Sequence, residues 1–250
     1  MIGAEAYGKH LFCHFAATTG PATDGPATDG SVAIVHVHLG LLGKVAMSDG
    51  VPPDPFGALR WRLSTNPVNL GGTADLRGPT DCRLMSPPEI DALLDRLGPD
   101  PLRDDADPER AWARISRSRA PIAGLLMDQR IVAGVGNIYR AELLYRHRLD
   151  PMMPGRSLKH AEWQAMWADL VILMRDGVLT GRIDSVRPEH EPEAMGRAPR
   201  LDRHGGEVYV YRRAGLRCLV CGHRIRIAEL AGRNLFWCPG CQRRTRRRPT

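Results

Sequence analysis

Near its C-terminus the chain carries Cys218-Leu-Val-Cys221 and Cys238-Pro-Gly-Cys241, two Cys-x-x-Cys pairs separated by sixteen residues. Each pair places two thiolates on one tight turn, and a hairpin that brings two such turns together completes a tetrahedral sulfur shell. The spacing therefore predicts one structural Zn²⁺ held by Cys218, Cys221, Cys238 and Cys241, with no position left open for water. A pair of disulfides would not require the duplicated spacing. Between the knuckles, residues 225–237 alternate as two short strands about Ala231-Gly-Arg-Asn234, which puts Arg233 at a hairpin tip.

Charge sharpens the reading of this end. Residues 201–250 contain twelve Arg and no Lys against Asp202, Glu207 and Glu229, so they carry more than the whole net charge of +7. An arginine-rich ribbon followed by Arg243-Arg-Thr-Arg-Arg-Arg248 has the electrostatic signature of a phosphate-backbone binder. Cys13 and Cys82 stand alone and read as ordinary thiols. No secretory signal is visible and no apolar run is long enough to span a bilayer, which predicts a reduced, cytoplasmic protein with no membrane partner. Neither a P-loop nor a dinucleotide-binding glycine motif occurs, so no nucleotide cofactor is expected.

Two hundred and fifty residues suffice for two modest domains. The first is β-rich. Val32–Leu39 is dense in β-branched residues, and Leu59, Trp61 and Leu63 alternate with Arg60, Arg62 and Ser64. Pro21-Ala-Thr-Asp-Gly is repeated at once through Gly30 and reads as a loop insertion. Ser86-Pro-Pro-Glu89 is a capping box opening a short helix. The Pro/Asp-rich stretch 98–108 predicts a linker. The second domain begins helical: Trp163, Met166, Trp167, Leu170 and Met174 recur at helical spacing, as a core stripe. Upstream, residues 121–129 read as a helix, Ala133-Gly-Val-Gly136 as a turn and Asn137–Leu144 as a second helix, whose N-terminus suits a phosphate.

Leu125-Leu-Met-Asp-Gln129, Ala133-Gly-Val-Gly-Asn-Ile-Tyr-Arg140 and Gly232-Arg-Asn-Leu-Phe-Trp-Cys-Pro-Gly-Cys-Gln242 resemble the formamidopyrimidine-DNA glycosylase/endonuclease VIII family of base-excision repair enzymes, in its actinobacterial endonuclease VIII-like branch. Tyr7–Phe12 and His38-Leu-Gly-Leu-Leu-Gly43 resemble N-terminal segments of the same family. The resemblance implies an α+β fold: an incomplete N-terminal β-sandwich over residues 1–98, a linker over 99–111, a helix-two-turns-helix domain with a capping-type loop over 112–209, and a β-hairpin zinc ribbon with a basic tail over 210–250. It also implies a monomer in a bacterial, nucleoid-associated setting. The partner would be damaged double-stranded DNA.

Site residues follow by position. Lys9 matches the lysine assigned to a phosphate contact and to proton donation in β-elimination; Arg233 matches the ribbon arginine that grips phosphate and assists δ-elimination. Asn137 matches a DNA-contacting asparagine, and Leu41 and Leu42 fall where apolar side chains fill the gap left by an extruded base. Arg77 is a weaker wedge or phosphate candidate, and Glu142 a polar neighbour of the active site. The segment 186–206 occupies the place of a capping loop expected to order only on its ligand.

The sequence departs from the family at the start. Members begin with Pro-Glu, whose proline amine forms a Schiff base with the sugar, whereas this chain begins Met1-Ile-Gly-Ala-Glu5. Glu5 is no replacement, and the Schiff-base nucleophile is left unassigned. Three readings stand: a bifunctional glycosylase/AP lyase whose start lies upstream of Met1, a non-catalytic damaged-DNA-binding relative, and a zinc-ribbon protein of RNA or transcription assemblies. The first is favoured, because the third leaves Lys9, the 38–43 segment and the glycine-Asn turn unexplained.

Overall fold

The computed structural model describes residues 1–16, 32–49, 54, 57–64, 72–202 and 205–243. The tandem repeat at 21–30 and the arginine run after Arg243 lie outside them. The chain forms two compact units, Met1–Arg96 and Leu97–Thr250.

The described residues of the first unit form two antiparallel sheets. One has the order β1 (Gly3–Tyr7), β2 (His10–Phe15), β3 (Ala33–His38), β7 (Asp81–Met85); the other has β4 (Lys44–Ser48), β6 (Thr73–Arg77), β5 (Leu59–Ser64). Helix α1 (Pro87–Leu94) starts at the predicted capping box, where the Glu89 carboxylate accepts from the Ser86 backbone N–H at 2.8 Å. It packs Ile90, Leu93 and Leu94 against Phe12, Ile34 and Met85 of the first sheet.

The second unit is helical, then ribbon. It comprises α2 (Pro108–Ile115), α3 (Ile122–Leu125), α4 (Asn137–Arg146), α5 (His160–Thr180), α6 (Pro192–Met195) and the hairpin β8 (Arg226–Leu230) and β9 (Arg233–Trp237). The predicted stripe on α5 is core: Trp163, Met166, Leu170 and Met174 are buried among Ile115, Ile122, Leu126, Leu143 and Leu144. Burial of such side chains contributes roughly 1.5–3 kcal/mol each. No helix among the described residues is long and apolar enough to cross a membrane.

One expectation is corrected. Residues 99–111 are not a tether. Residues 97–101 are buried, the Gly98 N–H donates to Gln129 O at 2.9 Å, the Ala133 N–H donates to Pro99 O at 3.1 Å, and α2 already begins at Pro108. A side chain at Gly98 would strike the Ile131 carbonyl at 2.2 Å, so only glycine permits this approach. Pro and Asp suggested solvation, but here they form the floor under the α3–α4 turns. In segment 186–206 most of the described residues are exposed, and two arginines anchor it. Arg197 pairs with Glu207 at 2.7 Å, and the Arg200 guanidinium donates to the Gly205, Gly206 and Tyr211 carbonyls and pairs with Asp202.

Candidate nucleic-acid interface

Helix α4 opens at Gly136 after the turn that Gln129 stitches together. The Gln129 amide donates to Val135 O at 2.9 Å and accepts from the Gly134 N–H at 3.0 Å, and Gly134 has φ +84°, which favours glycine. This fixes Asn137 at the first position of α4, half-buried, with its Nδ2 donating to the Asn234 carbonyl at 2.9 Å. Arg140, one turn on, donates to the same carbonyl at 3.0 Å and to Asn137 Oδ1. Asn234 is the residue after Arg233. The ribbon tip is a two-residue turn, Ala231-Gly232, both at positive φ (51° and 69°), and Leu230 pairs with Arg233 across it. Arg233 thus begins β9, exposed, beside the N-terminus of α4.

Arg140 is fully buried, and its Nε and Nη1 have no hydrogen-bond partner. Burial, reinforced by the nearby Arg233 charge, lowers its pKa to about 10. Among the described residues no carboxylate forms an ion pair with Arg140 or Arg233. Two guanidiniums and an amide therefore converge with spare N–H donors at a helix N-terminus, an arrangement that favours an anion. Sequence reading missed Arg140. An arginine on a helix surface is ordinary, and only its burial marks it.

The four cysteine sulfurs lie within 4.8 Å of one another, with Cys221–Cys238 at 3.3 Å and Cys218–Cys241 at 3.8 Å, and all four thiols are free. Zn–S bonds of about 2.3 Å in a tetrahedron require sulfur separations of about 3.8 Å. The donor set fits one structural zinc. The Tyr145 hydroxyl of α4 lies 3.1 Å from Cys218 Sγ. Burial alone would raise the Cys218 thiol; hydrogen bonds from Tyr145 and from the backbone at Val220 and Cys221 outweigh it and lower the pKa to about 7. The ribbon core of Phe236, Ile225 and Tyr211 packs on Ala141 and Tyr145, so the metal fixes the ribbon to α4 and, through β9, the position of Arg233.

In the first unit, Lys9 sits at the tip of the β1–β2 hairpin, after Gly8 at φ +58°. His38, the last residue of β3, has its Nδ1 2.9 Å from the Lys9 carbonyl, which ties this tip to the 39–43 loop. Leu41 and Leu42 on that loop are 72% and 78% exposed. Adjacent leucines left so open on a loop suit an apolar contact outside the chain. Gly40, at φ +66°, lies against Thr80, where an added Cβ would meet Oγ1 at 1.8 Å.

Two candidates fall away. Arg77 pairs with Asp75 at 2.7 Å, and the other oxygen of that carboxylate takes Arg62 at 2.6 Å. Glu142 is wholly buried, its carboxylate accepting from Ser185 Oγ and the backbone N–H groups of Tyr209, Val210 and Tyr211 at 2.6–2.9 Å. It organises the strap leading to the ribbon and faces no open site.

Residues 97–187 match the formamidopyrimidine-DNA glycosylase H2TH domain and residues 215–244 the zinc finger found in FPG and IleRS. Endonuclease 8 1 of Mycobacterium tuberculosis is 49% identical over 243 residues, covering 96% of this chain and 82% of its own. The chain belongs to the formamidopyrimidine-DNA glycosylase/endonuclease 8 family. A formamidopyrimidine-DNA glycosylase of Thermosynechococcus vestitus is 31% identical over 219 residues, covering 82% of this chain and 72% of its own. Among solved structures, a Lactococcus lactis FPG mutant in complex with Fapy-dG-containing DNA superimposes with a TM-score of 0.69 at 20% identity, over 97% of this chain and 82% of that one. That likeness extends the family's fold to both units.

Proposed function

We propose that this chain is a base-excision repair DNA glycosylase/AP lyase that takes oxidised bases from duplex DNA and nicks the resulting abasic strand by elimination. The observation that carries the reading is the convergence of Asn137 and Arg140 on the Asn234 carbonyl beside Arg233, a cationic site where no carboxylate among the described residues pairs with either arginine, on elements whose sequence matches this repair family. Asn137, Arg140 and Arg233 grip phosphate. Lys9 contacts phosphate beside the lesion and donates a proton during β-elimination, Arg233 assists δ-elimination, and Leu41 and Leu42 fill the space vacated by the extruded nucleotide. The zinc holds the ribbon and takes no part in bond breaking. The domain scheme follows: a catalytic-type β-domain, the helix-two-turns-helix domain and the ribbon, acting as a monomer in the cytoplasm, at the nucleoid.

The chemistry requires an amine that attacks the anomeric carbon, expels the base and, as an iminium, acidifies the adjacent C–H for elimination. No residue among the 250 matches the family's Schiff-base proline. A borohydride trap on an abasic-site duplex tests the reading directly, since reduction of the imine makes the attachment permanent. Covalent adduct and strand nicking support a lyase. Tight abasic-site binding without adduct fits both a lyase whose start lies upstream of Met1 and the second reading, a damaged-DNA-binding protein; adduct and nicking by a chain extended to a Pro-Glu start then decide for the lyase, and their absence for the binding protein. Failure to bind abasic duplex refutes both.

A further inference from the structure

The face of the first sheet beneath Lys9 carries three histidines where apolar side chains would pack without needing partners. The period of two places His10 and Phe12 of β2, His36 and His38 of β3, and Asp81 and Arg83 of β7 on one face, with His10 opposite His38 and His38 opposite Asp81 in register. His36 is 2% exposed and tilts against the Phe12 ring at 5.2 Å. Its Nε2 lies 2.9 Å from His10 Nδ1, while its Nδ1 lies 3.3 Å from Asp81 Oδ2, close but off the line of a full hydrogen bond. The His10 ring stacks on His38 with centroids 4.6 Å apart, and His38 Nδ1 meets the Lys9 carbonyl at 2.9 Å.

Proton positions follow from what each neighbour can accept. The Lys9 carbonyl only accepts, so His38 Nδ1 carries its hydrogen. A carboxylate also only accepts, and a bare lone pair on a buried His36 Nδ1 facing it would be repelled, so this nitrogen too is protonated. His36 Nε2 is then an acceptor and His10 Nδ1 the donor to it. All three rings take the Nδ1–H tautomer, which free imidazole disfavours. Burial, and then the neighbouring imidazoles, lower His10 to about 4, and burial lowers His36 despite Asp81, so both are neutral at pH 7. The groups facing them are Lys9, His38, Asp81 and Arg83.

On the reading of Lys9 as a DNA-phosphate contact, we propose that Asp81, His36 and His10 form a buried imidazole relay that positions the Lys9 hairpin tip, with His36 as the positioning residue. The relay runs from the start of β7 through His36 to His10, and the stacked His38 passes the constraint to the Lys9 backbone. An aliphatic residue at 36 would pack on Phe12 equally well; the imidazole adds a directional link. That link fixes where the tip presents its ammonium.

The test is a double-mutant cycle read by fluorescence anisotropy on a duplex bearing a tetrahydrofuran abasic-site analogue, using the full 250-residue chain loaded with zinc. His36→Leu is expected to weaken binding about tenfold and to flatten the salt dependence by about one unit, as Lys9→Ala does. The Lys9→Ala/His36→Leu double variant should be no weaker than either single, whereas His36→Leu and Arg233→Ala should add. His36→Gln, whose amide oxygen can accept near the position of Nε2, should bind within about twofold of the parent. If the His36→Leu loss adds in full to that of Lys9→Ala, the positioning role is overturned. Long-range ¹⁵N–¹H correlation of the histidines provides a measurement independent of DNA and of variant folding: Nδ1–H signals for His10, His36 and His38 at pH 7 support the relay, and Nε2–H at His36 overturns it. Failure of the parent chain to bind DNA refutes the functional reading instead, and leaves the tautomer result to decide the relay.

Discussion

Removing the Glu142 carboxylate should unfasten the strap that joins the helical region to the ribbon. Glu142 is fully buried on α4 and accepts four hydrogen bonds, from Ser185 Oγ at 2.6 Å and from the backbone N–H groups of Tyr209, Val210 and Tyr211 at 2.7, 2.9 and 2.8 Å. In Glu142→Ala the three backbone donors lose their acceptor at a site where Tyr209 and Val210 are themselves buried. Each unsatisfied buried N–H costs about 1–3 kcal/mol, and local relaxation places the sum at the low end, about 3 kcal/mol. Glu142→Gln keeps one oxygen but turns an N–H₂ group toward donors, for about 2 kcal/mol; Ser185→Ala removes only one donor and should cost about 1 kcal/mol. Urea denaturation of zinc-loaded protein, followed by circular dichroism, gives the order Ser185→Ala, Glu142→Gln, Glu142→Ala in decreasing midpoint. A Glu142→Ala variant within about 1 kcal/mol of the parent would mean that water or a neighbouring side chain supplies those bonds, and that the carboxylate is not what holds the strap.

Metal removal should unfold the ribbon, since its small core of Phe236, Ile225 and the cysteines lacks independent stability: chelation should abolish DNA binding, and Cys238→Ser should fall below one zinc per chain by elemental analysis. Arg233→Ala should weaken duplex binding by roughly 1–3 kcal/mol and lower the salt slope by about one; unchanged affinity across a salt titration would remove Arg233 from the interface. Acid should destabilise in two steps. His10 is neutral when folded, with its pKa lowered to about 4, so the unfolded chain binds its proton first and stability falls as pH drops from about 6.5 toward 4. For Asp169, burial would raise the pKa, but hydrogen bonds from His147 and Arg146 outweigh it and hold the carboxyl well below its ordinary range, so its contribution is lost below about pH 4. His10→Gln should flatten the first step and Asp169→Asn the second in pH-dependent thermal melts.

Much of this was legible because the relevant signals are local. The cysteine spacing dictated the ribbon, strand alternation at 59–64 gave β5, and the helical stripe from Trp163 to Met174 gave the buried face of α5. Pro121–Gln129 read as one helix but forms only four helical residues followed by turns, because Gln129 spends its amide on the Gly134 and Val135 backbone. The 98–108 stretch misled for a related reason. Composition marks a segment as polar, but Asp100 is buried, and the Gly98 and Pro99 backbones bond to the turn above. Arg140, Glu142 and the His10–His36 pair were out of reach because their meaning lies in partners 94, 67 and 26 residues away. Strand alternation alone placed Arg233 at the ribbon tip, whereas Lys9 and the leucines entered only through family resemblance, since nothing in a lone surface lysine or loop leucine announces a role.

Arg140 shows where stability and function pull apart. Its Nη2 donates to the Asn234 carbonyl and to Asn137 Oδ1; Asn137 already serves that carbonyl at 2.9 Å, and the Asn137 side chain is half-buried within reach of water, so neither acceptor depends on the arginine. Meanwhile its Nε and Nη1 are buried without partners, its charge is desolvated, and Arg233 repels it. Each of the two orphan donors costs about 1–3 kcal/mol in the DNA-free protein, together more than these two hydrogen bonds return. A phosphate oxygen placed between Arg140 and Arg233 would satisfy both donors and cancel the repulsion, turning a penalty in the free state into binding energy. Arg140→Met, which keeps the side-chain volume, should therefore leave the denaturation midpoint unchanged or raise it, while weakening abasic-duplex binding at least tenfold. A variant that loses stability and binds DNA as before would show that Arg140 is a structural strut, its spare donors met by water, and that the anion site lies elsewhere on the ribbon.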